Sequence, residues 1–359
     1  MPQLDFSTAS SGASRKIGVF DPEMPALRGV FDTNRMRNNL RQRLPSLFPE
    51  ERSSVGRVNF QDLPWRPGRR LVLEIALRTT TGWLRFVGKV YCEDRPDVFE
   101  AMKKIWQSSI NRGAGFSIPR PIAYLASLRL LLQEKSEGLL AKRVFLEGNS
   151  YQCIDAAERC ALWLARFQVG APRQGKLTDV QRILRHAERR VRFIVEACMP
   201  FASKARKLFD GLAASPPTLN TMCARHGDYK PDHQFLLPQG GAITFDWDCY
   251  DMADPCRDAA MFLIYLERLA LGERGAAQNL KNASQAFLKT YWAPRRPALK
   301  FDCASIRRRC TCKKRSAMWA NSTPDGWREP KLCWTKVFEN SKRKGGAHAR
   351  ICHGTWGLQ

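Results

Sequence analysis

Six aspartates fall between Asp228 and Asp254 of a 359-residue chain whose 59 lysines and arginines outnumber its 34 acidic residues. Asp228 stands in the sequence HGDYKPD, ahead of a short apolar run, and Asp246 follows 18 residues later, beyond a Gly-Gly turn. A carboxylate before a hairpin and another on its far strand lie at one end of the sheet. Phosphoryl transfer from ATP needs such a pair, one to orient the acceptor hydroxyl and one to bind magnesium, with a lysine on the phosphates.

The elements that must position these residues are predicted from their periodicity. The segments VGRVNF, RRLVLEIALR and GWLRFVGKVYC predict three antiparallel strands joined by turns. A helix, RPDVFEAMKKIWQSSI, and a strand, LRLLLQEKSEG, come next. From about Asn149 the chain is predicted to be largely helical. The acidic stretch then adds the strands HQFLL and AITFDW around PQGG, and a helix near DAAMFLIYLERLAL.

The composition limits the classes of protein. The net charge of +25 invites a nucleic-acid interpretation, but no recognition helix, zinc-finger spacing or RNP motif accompanies it, so we expect no specific nucleic-acid binding. No apolar run approaches the ~20 residues of a membrane span, and the start of the chain lacks the layout of a secretory signal. We therefore expect a cytoplasmic protein with reduced thiols and no membrane partner.

The joint pattern resembles the aminoglycoside phosphotransferase and choline-kinase-like family, small-molecule relatives of protein kinases. HGDYKPDHQFLL is similar to the family's catalytic loop, ITFDWD to its metal-binding strand, and ADPCRDAA to the Asp-Pro element that follows. FVGKVY is similar to the lysine strand, FEAMKKIW to the next helix and LLLQEKSEG to the hinge. The resemblance spans roughly residues 20–295.

The resemblance implies a role for each matching residue. Asp228 would be the catalytic carboxylate and Asp246 a magnesium ligand. Lys89 would contact the ATP phosphates, with Glu100 as its partner, although a lone strand lysine or helix glutamate is more often simply solvated. The backbone of Gln133, Glu134 and Lys135 would hold adenine. His226 and Asp258 would brace the loops through hydrogen bonds.

The catalytic loop departs from the family at one position. The family has an asparagine five residues beyond the catalytic aspartate, where this chain has His233 followed by Gln234. Ungapped alignment favours His233 as the ligand. The preference of magnesium for oxygen favours Gln234, provided that the loop holds one extra residue. The sequence leaves both open.

The remaining acids also allow two interpretations. Asp248, Asp251 and Asp254 are compatible with ordinary loop carboxylates, and Asp254 with a cap for the helix near Pro255. A cluster of acids beside the acceptor would instead favour a cationic substrate.

We predict an α+β protein with a two-lobed, protein-kinase-like fold. Residues 1–49 form an N-terminal extension, 50–135 the ATP-binding sheet and helix, and 136–300 the larger catalytic lobe. Residues 301–359 form a basic tail with five of the twelve cysteines and four of the ten tryptophans, which we expect to be poorly ordered.

The predicted function is ATP- and Mg²⁺-dependent phosphorylation of a hydroxyl on a small molecule such as an aminoglycoside-like compound, an amino alcohol or a sugar. The alternative is a catalytically weak or inactive kinase-like nucleotide-binding protein, because the asparagine is missing. A nucleic-acid-binding protein is a third interpretation, which rests on the charge alone.

Overall fold

The computed structural model describes residues 21–47, 57–79, 82–108, 110, 115–216, 222–272 and 277–293. The predicted tail, 301–359, and residues 1–20 and 48–49 of the predicted extension lie outside this part. The strands are β1 Val58–Arg66, β2 Arg70–Arg78, β3 Trp83–Tyr91, β4 Phe116–Ser117, β5 Pro121–Leu125, β6 Leu130–Glu134, β7 Leu139–Leu140, β8 Cys223–Arg225, β9 Gln234–Leu236, β10 Ala242–Thr244 and β11 Asp251–Ala253. The helices are α1 Ala26–Phe31, α2 Thr33–Leu47, α3 Pro96–Gln107, α4 Ala141–Glu147, α5 Ser150–Gly170, α6 Val180–Ala197, α7 Met199–Ala214, α8 Cys256–Gly272 and α9 Ala277–Tyr291.

The described residues divide into two compact units. The first comprises those within Met1–Glu100 and Pro119–Lys135, and the second those within Ala101–Ile118 and Ser136–Gln359. The division at Lys135 falls at the predicted end of the ATP-binding segment, whereas Ala101–Ile118, which lies within the predicted segment 50–135, belongs to the second unit.

The first unit is built on a five-stranded antiparallel sheet with the order β1-β2-β3-β6-β5. Alternate residues of β2, from Leu71 to Leu77, are buried on one face of the sheet, as the period of a strand requires. They share a core with Met24, which precedes α1, with Leu27 and Val30 of α1, and with Met36 and Leu40 of α2. The described part of the predicted N-terminal extension is therefore packed into the sheet core.

The second unit is mainly helical. Its long helix α5 begins at a capping box, in which Asn149 accepts from the backbone of Gln152 and the side chain of Gln152 accepts from the backbone of Asn149. Small sheets β4-β10-β9-β7 and β11-β8 complete the unit. Its core is aromatic: Trp163 of α5 stacks on Phe167 and on Tyr229, with ring centroids 5.0 and 5.7 Å apart.

The structure confirms the predicted α+β class, with an antiparallel sheet unit and a mainly helical unit. The three strands before α3 and the hairpin around Gly240 are as predicted. The metal-binding strand was predicted to run through Asp246, whereas β10 ends at Thr244. Asp246 has a φ of 70°, a left-handed conformation that cannot continue an extended strand.

Candidate active site

The loop after β8 is fixed by a carboxylate from the first turn of α8. The backbone N–H groups of His226 and Gly227 donate to the two oxygens of Asp258 at 2.7 and 3.1 Å. Asp258 is fully buried. Burial raises the pKa of Asp258 to about 6, and the opposing effects of Arg225 and the two backbone donors do not cancel it. The hydrogen bonds expected of Asp258 are thus present.

The His226 ring ties this loop to the end of β10. Its Nδ1 accepts from the N–H of Asp228 at 3.3 Å, so the proton of the neutral ring is on Nε2. Nε2 then donates to the carbonyl of Phe245 at 3.0 Å. One side chain therefore sets the spacing between Asp228 and the residue before Asp246.

Asp228, His233 and Asp246 converge within the second unit. One oxygen or nitrogen atom from each lies within 4.8 Å of the other two. Nε2 of His233 is 3.3 Å from Oδ2 of Asp246, and Nδ1 is 3.6 Å from Oδ2 of Asp228. His233 is the last residue of a 3-10 turn, Pro231–His233. The two carboxylates predicted to act together do lie together.

The hydrogen bonds of His233 direct its Nε2 toward the carboxylate of Asp246. Its Nδ1 lies 3.0 Å from the carbonyl oxygen of Asp228, which only accepts, so Nδ1 carries a proton. In a neutral ring Nε2 is then a lone pair that faces the carboxylate of Asp246. Two acceptors at this separation need a shared proton or cation between them. Two carboxylates and an imidazole fit a divalent cation.

Gln234 lies in the core instead. Its side chain is fully buried, and its carbonyl oxygen accepts from the hydroxyl of Thr244 at 2.6 Å. The two residues face each other across β9 and β10. The structure thus brings His233, and not Gln234, into the group formed by the two carboxylates.

Lys230 is a member of the site that sequence reasoning missed. Its ammonium lies 2.7 Å from Oδ2 of Asp228, and both side chains are largely buried. Burial opposes the charge of this lysine, but the Asp228 carboxylate outweighs burial and raises the pKa of Lys230. The signal was present in HGDYKPD, since a lysine two residues beyond Asp228 is close enough to contact it.

Lys89 lies on β3 of the first unit, opposite Val72 and Leu131, and is 4% exposed. Glu100 is exposed on α3, and its pairing with Lys89 stays a prediction. Because its side chain is buried, Lys89 is not the solvated strand lysine that was the alternative interpretation of the sequence.

The predicted hinge residues end β6. Gln133 is buried and pairs with Val87, while Glu134 is exposed. The N–H groups of Glu134 and Lys135 donate to the carbonyls of Arg120 and Arg85, at 2.8 and 3.4 Å. The adenine-binding role of this segment stays a prediction.

One buried carboxylate, Glu74, connects the hinge to β3. It accepts from Lys135 at 2.8 Å and from Arg85 at 3.0 Å. Burial opposes its ionisation, but these hydrogen bonds and charges outweigh burial and lower the pKa of Glu74.

The other acids of the stretch have structural contacts. Asp251 receives a bidentate pair from Arg225, with both distances 2.6 Å, and a hydrogen bond from Thr178. Asp254 accepts from the N–H of Cys256 and so caps α8, as one interpretation proposed. Asp248 is partly exposed in the turn after Asp246.

The structure contains the features that the sequence predicted for a small-molecule kinase. They are a buried strand lysine in the sheet unit, and a braced aspartate loop and a second carboxylate after a hairpin in the helical unit. The chain belongs to the phosphotransferase enzyme family, whose model matches residues 76–298. It is thus a phosphotransferase, and both the predicted family and the α+β fold class are confirmed.

Several solved structures are similar to this chain. The choline kinase LicA from Streptococcus pneumoniae is 14% identical, with a TM-score of 0.44 over 88% of this chain and 95% of that one. The macrolide 2'-phosphotransferase MphH from Brachybacterium faecium is 11% identical, with a TM-score of 0.45 over 86% and 96%. A choline/ethanolamine kinase family protein from Mesorhizobium loti is 13% identical, with a TM-score of 0.45 over 88% and 97%. These likenesses indicate nothing about the substrate.

No curated protein matches the sequence. Among the described helices, none is both long and apolar enough to cross a membrane.

Proposed function

We propose that the protein transfers the γ-phosphoryl group of ATP to a hydroxyl of a small molecule in a Mg²⁺- or Mn²⁺-dependent reaction. The observation that carries the proposal is the convergence of Asp228, His233 and Asp246 on a loop braced by Asp258. When bound, the divalent cation neutralises charge on the phosphates.

Asp228 orients the acceptor hydroxyl and accepts its proton as the new phosphorus–oxygen bond forms and ADP leaves. Asp246 and His233 hold the cation. In the first unit, Lys89 contacts phosphate oxygens, and the segment Gln133–Lys135 binds the base. Each assignment follows the family pattern at the matching position, except that His233 stands where the family has an asparagine.

The ion pair between Lys230 and Asp228 supports an orienting role for the carboxylate. An ammonium at 2.7 Å stabilises the ionised form of Asp228, so the carboxylate is available as a hydrogen-bond acceptor. Asp228 therefore contributes mainly by fixing the direction of attack, which is the larger part of phosphoryl-transfer catalysis.

The acceptor classes to be tested are those that the sequence suggested: aminoglycosides, amino alcohols and sugars. A cationic acceptor and a cytoplasmic location stay predictions from the sequence.

The test is consumption of ATP, with Mg²⁺ and separately with Mn²⁺, across hydroxyl compounds of these classes. We expect turnover with at least one class, and a loss of orders of magnitude in Asp228→Ala with nucleotide binding retained. Nucleotide binding without turnover for every acceptor would favour the inactive relative. Near-normal turnover in Asp228→Ala would remove this residue from catalysis.

A further inference from the structure

One face of α8 runs along the loop that follows β8. Asp258, Phe262 and Tyr265 are spaced four and three residues apart, which places their side chains on the same face of the helix. At the start of this face, the two oxygens of Asp258 accept the backbone N–H groups of His226 and Gly227. The helix therefore holds the first part of the loop.

The next two residues of this face contact the loop further along. The ring of Phe262 lies 5.6 Å from the ring of Tyr229, measured between centroids. The ammonium of Lys230 lies 5.2 Å from the ring centre of Tyr265, which is within the range of a cation–π interaction. The contacts along α8 thus follow the order of the residues along the loop, and they fall both before and after Asp228.

Lys230 has two partners in this arrangement. Its ammonium lies 2.7 Å from Oδ2 of Asp228 and also faces the ring of Tyr265. A lysine ammonium ends a flexible four-carbon stem and donates in several directions. A second carboxylate, that of Asp246, belongs to the same group of side chains, so Asp228 alone does not determine where the ammonium lies. The contact with the ring limits the positions that the ammonium can take.

Tyr265 also contacts a second cation. Arg268 is exposed three residues further along α8, and its guanidinium lies 5.0 Å from the same ring centre. This contact joins neighbours on one helix, whereas the contact with Lys230 joins the helix to the loop. Both contacts use the face of the ring and not the phenol hydroxyl, so phenylalanine keeps them.

We propose that Tyr265 is a positioning residue for phosphoryl transfer: its ring holds the Lys230 ammonium on Oδ2 of Asp228 and so fixes the direction of that carboxylate. This inference rests on the proposed function, in which Asp228 orients the acceptor hydroxyl. Without the ring, the ammonium moves and the carboxylate turns with it. A small displacement of an orienting group lowers the rate of the chemical step.

Replacement of the ring tests this role in ATP consumption, with an acceptor from the screen of aminoglycosides, amino alcohols and sugars. Tyr265→Leu should lower kcat by roughly 10-fold and leave the KM for ATP within about twofold, because only the orientation of the carboxylate is lost. Tyr265→Phe should retain at least about half of the normal kcat, because the face of the ring is kept. A kcat for Tyr265→Leu within about threefold of normal, or equal losses in the two variants, would overturn the inference.

Two further variants test whether the effect passes through Lys230. Arg268→Gln removes the other cation from the same ring and is the matched control, with an unaltered kcat expected. Lys230→Met should lower kcat, and Tyr265→Leu in that background should lower it by less than about twofold more, because residues that act as a unit are not additive. Additive losses, or a loss in Arg268→Gln equal to that in Tyr265→Leu, would refute a role through Lys230.

The position of Lys230 is also measured without turnover. In protein labelled with ¹³C-lysine, the ε-methylene resonance of Lys230 is assigned by its absence from Lys230→Met. The ring current of Tyr265 should displace this resonance. The displacement should be lost in Tyr265→Leu and kept in Tyr265→Phe and Arg268→Gln. An unmoved resonance in Tyr265→Leu would overturn the contact.

Folding is monitored by thermal unfolding, with Tyr265→Met as the second variant in case Tyr265→Leu is unstable. The two proposals fail separately. A Lys230 resonance that depends on the ring, without phosphoryl transfer to any compound, removes the proposed function alone. Turnover that is unaltered in Tyr265→Leu removes the positioning role alone.

Discussion

Gly227, the residue before Asp228, has no room for an added methyl group. Its φ is +89°, and a Cβ there would lie 2.1 Å from the carbonyl oxygen of Cys249. The left-handed conformation alone disfavours alanine by about 1–2 kcal/mol. Relief of the contact requires the loop or the Cys249 peptide to move by roughly 1 Å, and overpacking of this kind adds about 1–3 kcal/mol.

The same movement displaces Asp228, which is the next residue. A misplacement of about 1 Å in a catalytic group costs on the order of 100-fold in rate. We therefore expect Gly227→Ala to lose about 2–5 kcal/mol in the free energy of unfolding and roughly 100-fold in kcat. The assays are denaturant unfolding and ATP consumption with a saturating acceptor.

Gly240→Ala is the matched control. Gly240 has the same φ of +89°, but no atom lies within 4 Å of an added Cβ. This variant should show only the conformational penalty of about 1–2 kcal/mol and an unchanged kcat. Equal losses of stability in the two variants, or a kcat within threefold of normal in Gly227→Ala, would refute the argument from the contact with Cys249.

Three further predictions concern the cation and the buried acid. Asp246→Ala should abolish metal-dependent nucleotide binding, as measured by titration of the cation with a nucleotide analogue; an unchanged affinity would move the ligand role elsewhere. His233→Asn should shift the ratio of kcat/KM with Mn²⁺ to that with Mg²⁺ by ~10-fold toward Mg²⁺, because an imidazole nitrogen is replaced by an amide oxygen; Gln234→Asn should leave the ratio unchanged, and the reverse pattern would contradict the placement of His233. Asp258 has its pKa raised to about 6, so its protonation favours the folded state. This contribution is complete below about pH 4 and is lost as the pH rises through about 6. The free energy of unfolding of the unaltered protein, relative to Asp258→Asn, should therefore fall by about 2 kcal/mol between pH 4 and pH 7; a difference independent of pH would contradict the raised pKa.

The sequence was sufficient for the elements with clear periodicity. The alternation of apolar residues predicted strand β2, and an apolar face at helical spacing predicted helix α3. The Gly-Gly turn predicted the hairpin that separates Asp228 from Asp246. The choice between His233 and Gln234 could not be predicted, because neighbouring residues differ only in the direction of their side chains. The 3-10 turn ends at His233 and β9 begins at Gln234, so one side chain enters the site and the other enters the core.

The number of charged residues can be read from the sequence, but the direction in which their side chains point cannot. The arginines of α6 are interleaved at helical spacing, and only the packing of the helix shows that Arg182 and Arg190 are partly buried while Arg185 is exposed. Lys230 is similar, since its contact with Asp228 depends on how the loop turns. Packing of α1 and α2 into the sheet core also escaped prediction, because their segment is rich in polar residues.

Asp258 holds the loop that contains Asp228, so the site cannot form during protein synthesis until Asp258 has been added. The partner of the His226 N–H lies 32 residues further along the chain. At about 5–20 residues per second, that carboxylate is added roughly 2–6 s after the loop that it holds. Tyr291 of α9, which donates to Gln168 across 123 residues, comes later still. A nascent chain therefore carries an incomplete aspartate loop until nearly all of the described residues have been made, and a chain interrupted before α8 gains no phosphotransferase activity.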